Sequence, residues 1–203
     1  DRPLSIVREL LDNALDAGAG AIDVHVRSGG LDGVRVVDDG AGMDRDDLGR
    51  CWLPHATSKI ESEEDLLRVT SLGFRGEALS SMATASRLEI VSCAPGGVAH
   101  RLVVRGGRQE ALEPCQGRTG TVVDVSELFY NYPARKKFLR SSSAEAGLCR
   151  SIFLDRAAAF PAVAFRLYGD DSLRLSLPVA DPVPRIALCH DLDPRLLGTG
   201  EAR

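Results

Sequence analysis

The stretch "SIVRELLDNALDAGAG", residues 5–20, places Glu9 and Asn13 four residues apart, one turn of a helix. Asp12 and Asp16 stand beside them, with Arg8 as the only basic neighbour. A hard cation such as Mg²⁺ takes oxygen ligands, few of them from protein when phosphates and water supply the rest. An Asn carbonyl provides one such ligand without adding negative charge. A Glu one turn away can accept a proton from an attacking water. A solvated helix face would show the same spacing, and spacing alone leaves both readings open.

Three further stretches carry chemistry. In "DDGAGM" a carboxylate, Asp38, ends an apolar run. It can accept from an exocyclic amine such as adenine's, while Gly40 and Gly42 let the backbone approach a flat ring. Asp and Gly also build ordinary turns. In "GFRGEAL", residues 73–79, a Gly-bounded loop opens into a helix, an arrangement whose free N–H groups bind phosphate. It is not a Walker loop, because no G-K-[ST] follows. The "HATSK" ahead of it offers Thr57, Ser58 and Lys59 as phosphate contacts or as a plain polar loop. Finally, "FYNYPARKKFLR" packs Arg135, Lys136, Lys137 and Arg140 into a dense basic cluster, either a contact for DNA phosphates or a solvated face.

The elements that must position these residues follow from periodicity. Val7, Leu10, Leu11, Ala14 and Leu15 form one apolar stripe of a helix from about Pro3 to Ala17, with Pro3 in its first turn and Gly18 past its end. "AIDVHVRS" alternates as a half-buried strand, and with the strand that precedes Asp38 it forms a hairpin over residues 21–38. "DRDDLGRCWL" reads as a helix capped by Asp44. Residues 54–75 form a long connector with a short helix near 62–69, and "GEALSSMATA" is helical. "RLEIVSC", "AHRLVVRGG" and "GTVVDVSEL" are strands. A helical region broken by "SSS" follows, then a hairpin around Gly169, Asp170 and Asp171. "DPVPRIALCH" looks like the start of another unit. The order predicts an α+β fold, a two-layer sandwich with helices on one face of a mixed sheet.

With 203 residues, 44% hydrophobic and 27% charged, the chain has the make-up of a soluble globular domain. No apolar run approaches the roughly 20 residues of a membrane span, and no signal peptide opens the chain. The net charge of −4 gives no overall pull toward nucleic acid, so such a pull must be local. Five scattered cysteines suggest neither zinc nor disulfides and fit a reducing interior. The start at Asp1 and the ending "LLGTGEAR" suggest a piece of a longer protein.

Taken in order, "RELLDNALDAGA", "VVDDGAGM", "HATSKI", "LGFRGEAL", "GTVVDV" and "LFYNYPARKKFL" closely resemble the N-terminal ATPase domain of the MutL family of DNA mismatch-repair proteins. That family belongs to the GHKL superfamily (Bergerat ATP-binding fold), with DNA gyrase, the ninety-kilodalton heat-shock chaperones and histidine kinases. The resemblance is dense to about residue 142 and thin beyond. It implies an ATP-binding and hydrolysing module with ATP and Mg²⁺ as cofactors. By it, Glu9 is the general base and Asn13 the Mg²⁺ ligand. Asp38 reads the adenine amine, with Gly40, Gly42 and Met43 beside the base and Thr121 nearby. Thr57, Ser58 and Lys59 lie in an ATP lid, and Gly73, Phe74, Arg75, Gly76, Glu77, Ala78 and Leu79 wrap the phosphates.

The resemblance also implies ATP-driven ordering of the lid and formation of a homo- or heterodimer. That motion couples recognition by a MutS-type partner to downstream repair, with weak DNA contact through Arg135, Lys136, Lys137 and Arg140. The location would be the cytoplasm of a bacterium or the nucleus of a eukaryote, with no membrane association. Domain boundaries are expected at 1–184 for the ATPase domain, truncated at its N-terminus, and at 185–203 for a linker or the start of a transducer domain. Asp39, Val122 and Tyr132 depart from the residues usual in the family, and the family's second domain, whose lysine loop reaches the γ-phosphate, is expected to lie outside these 203 residues. A nucleotide-gated interaction module with little turnover is the competing class, and hydrolysis measured beside ATP affinity separates the two. A GHKL protein kinase is a third, separated by phosphate transfer to a histidine.

Overall fold

The computed structural model describes residues 2–54 and 78–192. Helix α1 spans Pro3–Asp16, with Pro3 in the first turn where its missing N–H leaves no bond unmade. Ile6, Val7, Leu10, Leu11 and Ala14 are buried along one side. Gly18, at φ +70°, turns the chain into strand β1, Ala21–Arg27. Alternate side chains of β1 (Ile22, Val24, Val26) are buried, as the period of two predicts. A single 3₁₀ turn, Ser28–Gly30, leads to β2, Gly33–Asp38.

Helix α2, Arg45–Arg50, is capped as expected: the Asp44 carboxylate accepts from the N–H groups of Asp46 and Asp47, each at 2.9 Å. It is shorter than its sequence suggested, ending in turns at residues 51–54. Helix α3, Ala78–Ala85, precedes strands β3, Arg87–Cys93, and β4, His100–Arg105. Strand β5, Arg108–Pro114, then pairs on the edge before β6, Gly120–Ser126. The basic segment holds only a short helix, α4, Pro133–Lys136. Helix α5, Ser142–Ala159, starts at Ser141, whose hydroxyl accepts from Ala144 N–H at 3.4 Å. Strands β7, Ala164–Gly169, and β8, Ser172–Leu177, form the predicted hairpin, with Asp170 and Asp171 at positive φ in its turn. Helix α6 is Pro182–His190.

The strands form one mixed sheet in the order β5-β4-β3-β6-β2-β1-β7-β8. β1 and β7 are parallel and the other neighbours antiparallel. The helices cover one face, giving the predicted two-layer α+β sandwich. Two apolar rows cross the covered face: Val24–Val36–Val123–Ile90–Leu102, and Val26–Val34–Val125–Leu88–Val104. The open face carries charges instead. Arg27 meets Asp124 with two bonds of 3.1 and 3.2 Å, and Arg101 grips Glu89 at 2.8 and 3.0 Å.

Two ties fix the helical layer. Asp12, buried on α1, is held by two bonds from Arg156 of α5, at 2.5 and 3.0 Å. It is therefore an interior ion pair rather than part of a wet face. Arg185, fully buried on α6, donates to the carbonyls of Ala157, Pro161, Val163 and Pro178. This bonding docks α6 on the rest of the body. The boundary expected at residue 184 falls inside that helix, which belongs to the same packed unit.

Candidate functional site

Two residues along each strand from Val36, Val123 and Ile90 of the first apolar row, the covered face changes character. The next row reads Ile22–Asp38–Thr121–Ser92–His100, directly opposed across β1, β2, β6, β3 and β4. Opposed residues share a face. Thus Asp38, Thr121 and Ser92 stand side by side at the ends of three adjacent strands, under the helical layer, and all three are buried. A buried polar row at the margin of an apolar core needs partners, and most of them are visible. The Thr121 and Ser92 hydroxyls are 2.9 Å apart, and Ser92 accepts from the N–H of Met43 at 2.9 Å. One Asp38 oxygen accepts from Gly40 N–H at 2.9 Å.

Burial raises the Asp38 carboxyl above its ordinary value, the N–H groups of Gly40 and Thr121 pull it back, and the charge of Asp39 adds to the rise. Asp39 itself faces the other way. Its carboxylate accepts from the N–H groups of Gly20 and Ala21, both at 2.8 Å, and so closes the turn before β1.

The loop after β2 touches the end of α1. Ala41 N–H donates to Ala17 O at 2.9 Å. A side chain on Gly40 would lie 2.8 Å from Ala17 Cβ, a distance no carbon tolerates. Gly42 has φ +63°, and a side chain there would strike the Cys93 carbonyl at 2.1 Å. Both glycines are thus required by close backbone approach. Glu9, Asn13 and Ala17 form an i, i+4, i+8 row of α1. The row that carries the candidate base and metal ligand therefore ends on the loop that follows Asp38 and carries Gly40.

Glu9 is half-buried, and its carboxyl is raised by burial first and by the charge of Asp12 second; Arg8 and Arg156 oppose the rise. The Asn13 side chain, also half-buried, makes no hydrogen bond among the described residues. Its oxygen remains available to a cation beside a phosphate, a donor that suits Mg²⁺.

Of the remaining predicted residues, Ala78 and Leu79 open α3 and pack on the core. Thr57, Ser58, Lys59, Gly73, Phe74, Arg75, Gly76 and Glu77 lie outside the described residues. Two cavities of the described chain lie elsewhere, about 300 Å³ on the open sheet face around Arg35 and about 880 Å³ between Ser141–Arg150 and the β7–β8 hairpin. Neither is lined by Glu9, Asn13 or Asp38. Sequence reasoning missed Ser92. Its only signal was a polar residue at the end of an apolar strand, and its role appears only with the register. The basic cluster is exposed as predicted, with the Arg135 guanidinium 5.4 Å from the Tyr132 ring centroid and Phe138 82% exposed.

Residues 2–109 match the family described as histidine kinase-, DNA gyrase B- and HSP90-like ATPase. The chain is 41% identical over 174 residues to the DNA mismatch repair protein MutL of Borreliella afzelii, covering 86% of this chain and 28% of that protein. It is 49% identical over 168 residues to MutL of Heliobacterium modesticaldum, covering 82% and 26%. The chain thus spans less than a third of the length of these relatives. Among solved structures, the Aquifex aeolicus MutL ATPase domain complexed with ADP superposes with a TM-score of 0.75 at 24% identity, covering 94% of this chain and 69% of that one. At that identity the likeness shows the fold.

Proposed function

Because the chain belongs to the histidine kinase-, DNA gyrase B- and HSP90-like ATPase family, in its MutL branch, we propose that it is the ATP-binding and hydrolysing module of a DNA mismatch-repair protein. The observation that supports this most is the convergence of the buried Asp38–Thr121–Ser92 row with the Glu9–Asn13–Ala17 row at Gly40.

Asp38 presents only acceptor oxygens and so takes a hydrogen bond from the adenine amine. Gly40 and Gly42 would lie beside the base, in a loop whose close approach to Ala17 and to the Cys93 carbonyl requires glycine. Glu9, already inclined to hold a proton, takes one from the attacking water as the γ-phosphate is displaced. Asn13 would hold Mg²⁺, which supplies neutralising charge to the phosphate oxygens. Asp12 is committed to Arg156, so it stays out of the metal's coordination and fixes the face from which Glu9 and Asn13 project.

In the full-length protein, nucleotide binding would couple recognition by a MutS-type partner to downstream repair through dimerisation. The described residues include no helix long and apolar enough to cross a membrane.

The test is a crystal grown with Mg²⁺ and a non-hydrolysable ATP analogue. The reading expects the adenine amine within hydrogen-bond distance of Asp38 and the metal on Asn13. A base bound elsewhere overturns it.

A further inference from the structure

We propose that Ser92 is a positioning residue for base selectivity, orienting the Thr121 hydroxyl and the 40–43 loop so that the site accepts adenine and rejects guanine. The inference rests on the reading of Asp38 and Thr121 as the adenine pair.

Ser92 is 1% exposed, on the strand next to that of Thr121 and two strands from that of Asp38. A hydroxyl has one proton and two lone pairs. One lone pair of Ser92 is taken by Met43 N–H at 2.9 Å, which ties the Gly40–Met43 loop to β3. The proton has two acceptors, Thr121 Oγ1 at 2.9 Å and the Gly120 carbonyl at 3.3 Å. When it goes to the nearer, the Thr121 proton is left to point away from Ser92, and Thr121 becomes a donor beside an acceptor-only Asp38.

Adenine shows that pair a matching edge, an amine that donates and a ring nitrogen, N1, that accepts. Guanine shows the reverse, a carbonyl that accepts and an N1–H that donates. Its carbonyl would face a carboxylate and its N–H would face a hydroxyl proton. Asp38 alone opposes only the first mismatch; Ser92, acting through Thr121, adds the second. Removing the Ser92 hydroxyl frees the Thr121 rotor and unties Met43, while the apolar rows behind it stay intact.

ATP and GTP affinities are measured by calorimetry for the parent chain and for Ser92→Ala, Ser92→Cys and Asp38→Asn, with melting curves alongside. Ser92→Cys is nearly isosteric and keeps only a weak donor, so it reports on the hydroxyl if the alanine variant fails to fold. Both Ser92 variants are expected to lower the ATP:GTP affinity ratio by about tenfold, the worth of one ordinary hydrogen bond. A ratio unchanged in the Ser92 variants but lowered in Asp38→Asn overturns the inference and leaves the adenine reading standing. So does an equal loss of both affinities that tracks a fall in melting temperature. A ratio unchanged in Asp38→Asn overturns the adenine reading and this inference with it.

Discussion

Glu9 carries the proton transfer in the proposed reaction, and its surroundings set the pH at which it can act. Burial and the nearby charge of Asp12 hold its carboxyl above the ordinary value of 4.5. A general base works only when ionised, so turnover should rise with pH on an acid limb whose inflection lies above 4.5. Glu9→Gln should bind ATP normally and hydrolyse it at least 100-fold more slowly, on the order of what positioned bases contribute. Single-turnover rates beside calorimetric affinities check this, and retained turnover would remove Glu9 from the base role. Asp38 differs in kind. Its carboxyl is raised above 3.8 by burial, so the folded state holds that proton more tightly than the unfolded state. Its ionisation therefore costs stability as the pH climbs from 3.8 through the raised value. Asp38→Asn should then melt no lower than the parent at neutral pH, yet lose roughly 10- to 100-fold in ATP affinity, because a charge-assisted bond becomes a mismatched amide. A parallel loss of melting temperature and affinity would mark Asp38 as a structural residue instead.

At the scale of elements, the site depends on α1 being held at one rotation and one height over the sheet. Its apolar stripe sets the rotation, and the Asp12–Arg156 pair locks it to α5. Asp12 is buried while Arg156 keeps about a quarter of its side chain in water. Losing the pair should cost about 2 kcal/mol, between the near-zero worth of exposed pairs and the larger penalty of breaking fully buried ones. Asp12→Ala should melt roughly 4–8 °C lower. It should also weaken turnover through Glu9 more than ATP binding; a double-mutant cycle with Arg156→Ala that shows no coupling would dissolve the lock. This pair was illegible in the sequence, which shows Asp12 beside Glu9 and Asn13 but not a partner 144 residues away. The same reason hid Ser92, whose meaning lies in the register of β3 against β6, and Arg185, whose acceptors come from three separate segments. Strand β5 was hidden differently: it lies on an edge with mostly exposed side chains, so "RQEALEP" has no alternation to read. What could be read were features that sequence distance does not dilute: the stripe of α1, the alternation of β1, the Asp44 cap, and the glycines at 40 and 42 that close approach requires.

At the scale of the whole molecule, an acidic chain can bind DNA only where its cations are not already neutralised. The net charge is −4. On the open sheet face Arg27, Arg87 and Arg101 are spent on Asp124 and Glu89, so a phosphate reaching any of these three would have to displace a carboxylate. Arg135, Lys136, Lys137 and Arg140 differ: they are exposed and form no ion pair among the described residues. Each phosphate neutralised by a free cation releases condensed counterions, which gives log K a slope of about −0.9 per contact against log salt on duplex DNA. Neutralising Lys136 and Lys137 together should therefore make that slope shallower by about 2, and weaken binding uniformly across sequences. Arg101→Ala supplies the comparison, since it removes one charge that Glu89 had already cancelled, and should leave the slope nearly unchanged. Fluorescence anisotropy across a salt series measures both. A slope that moves equally in the two variants would mean that DNA responds to the protein's total charge, and the 135–140 segment would then have no special claim on the phosphate backbone.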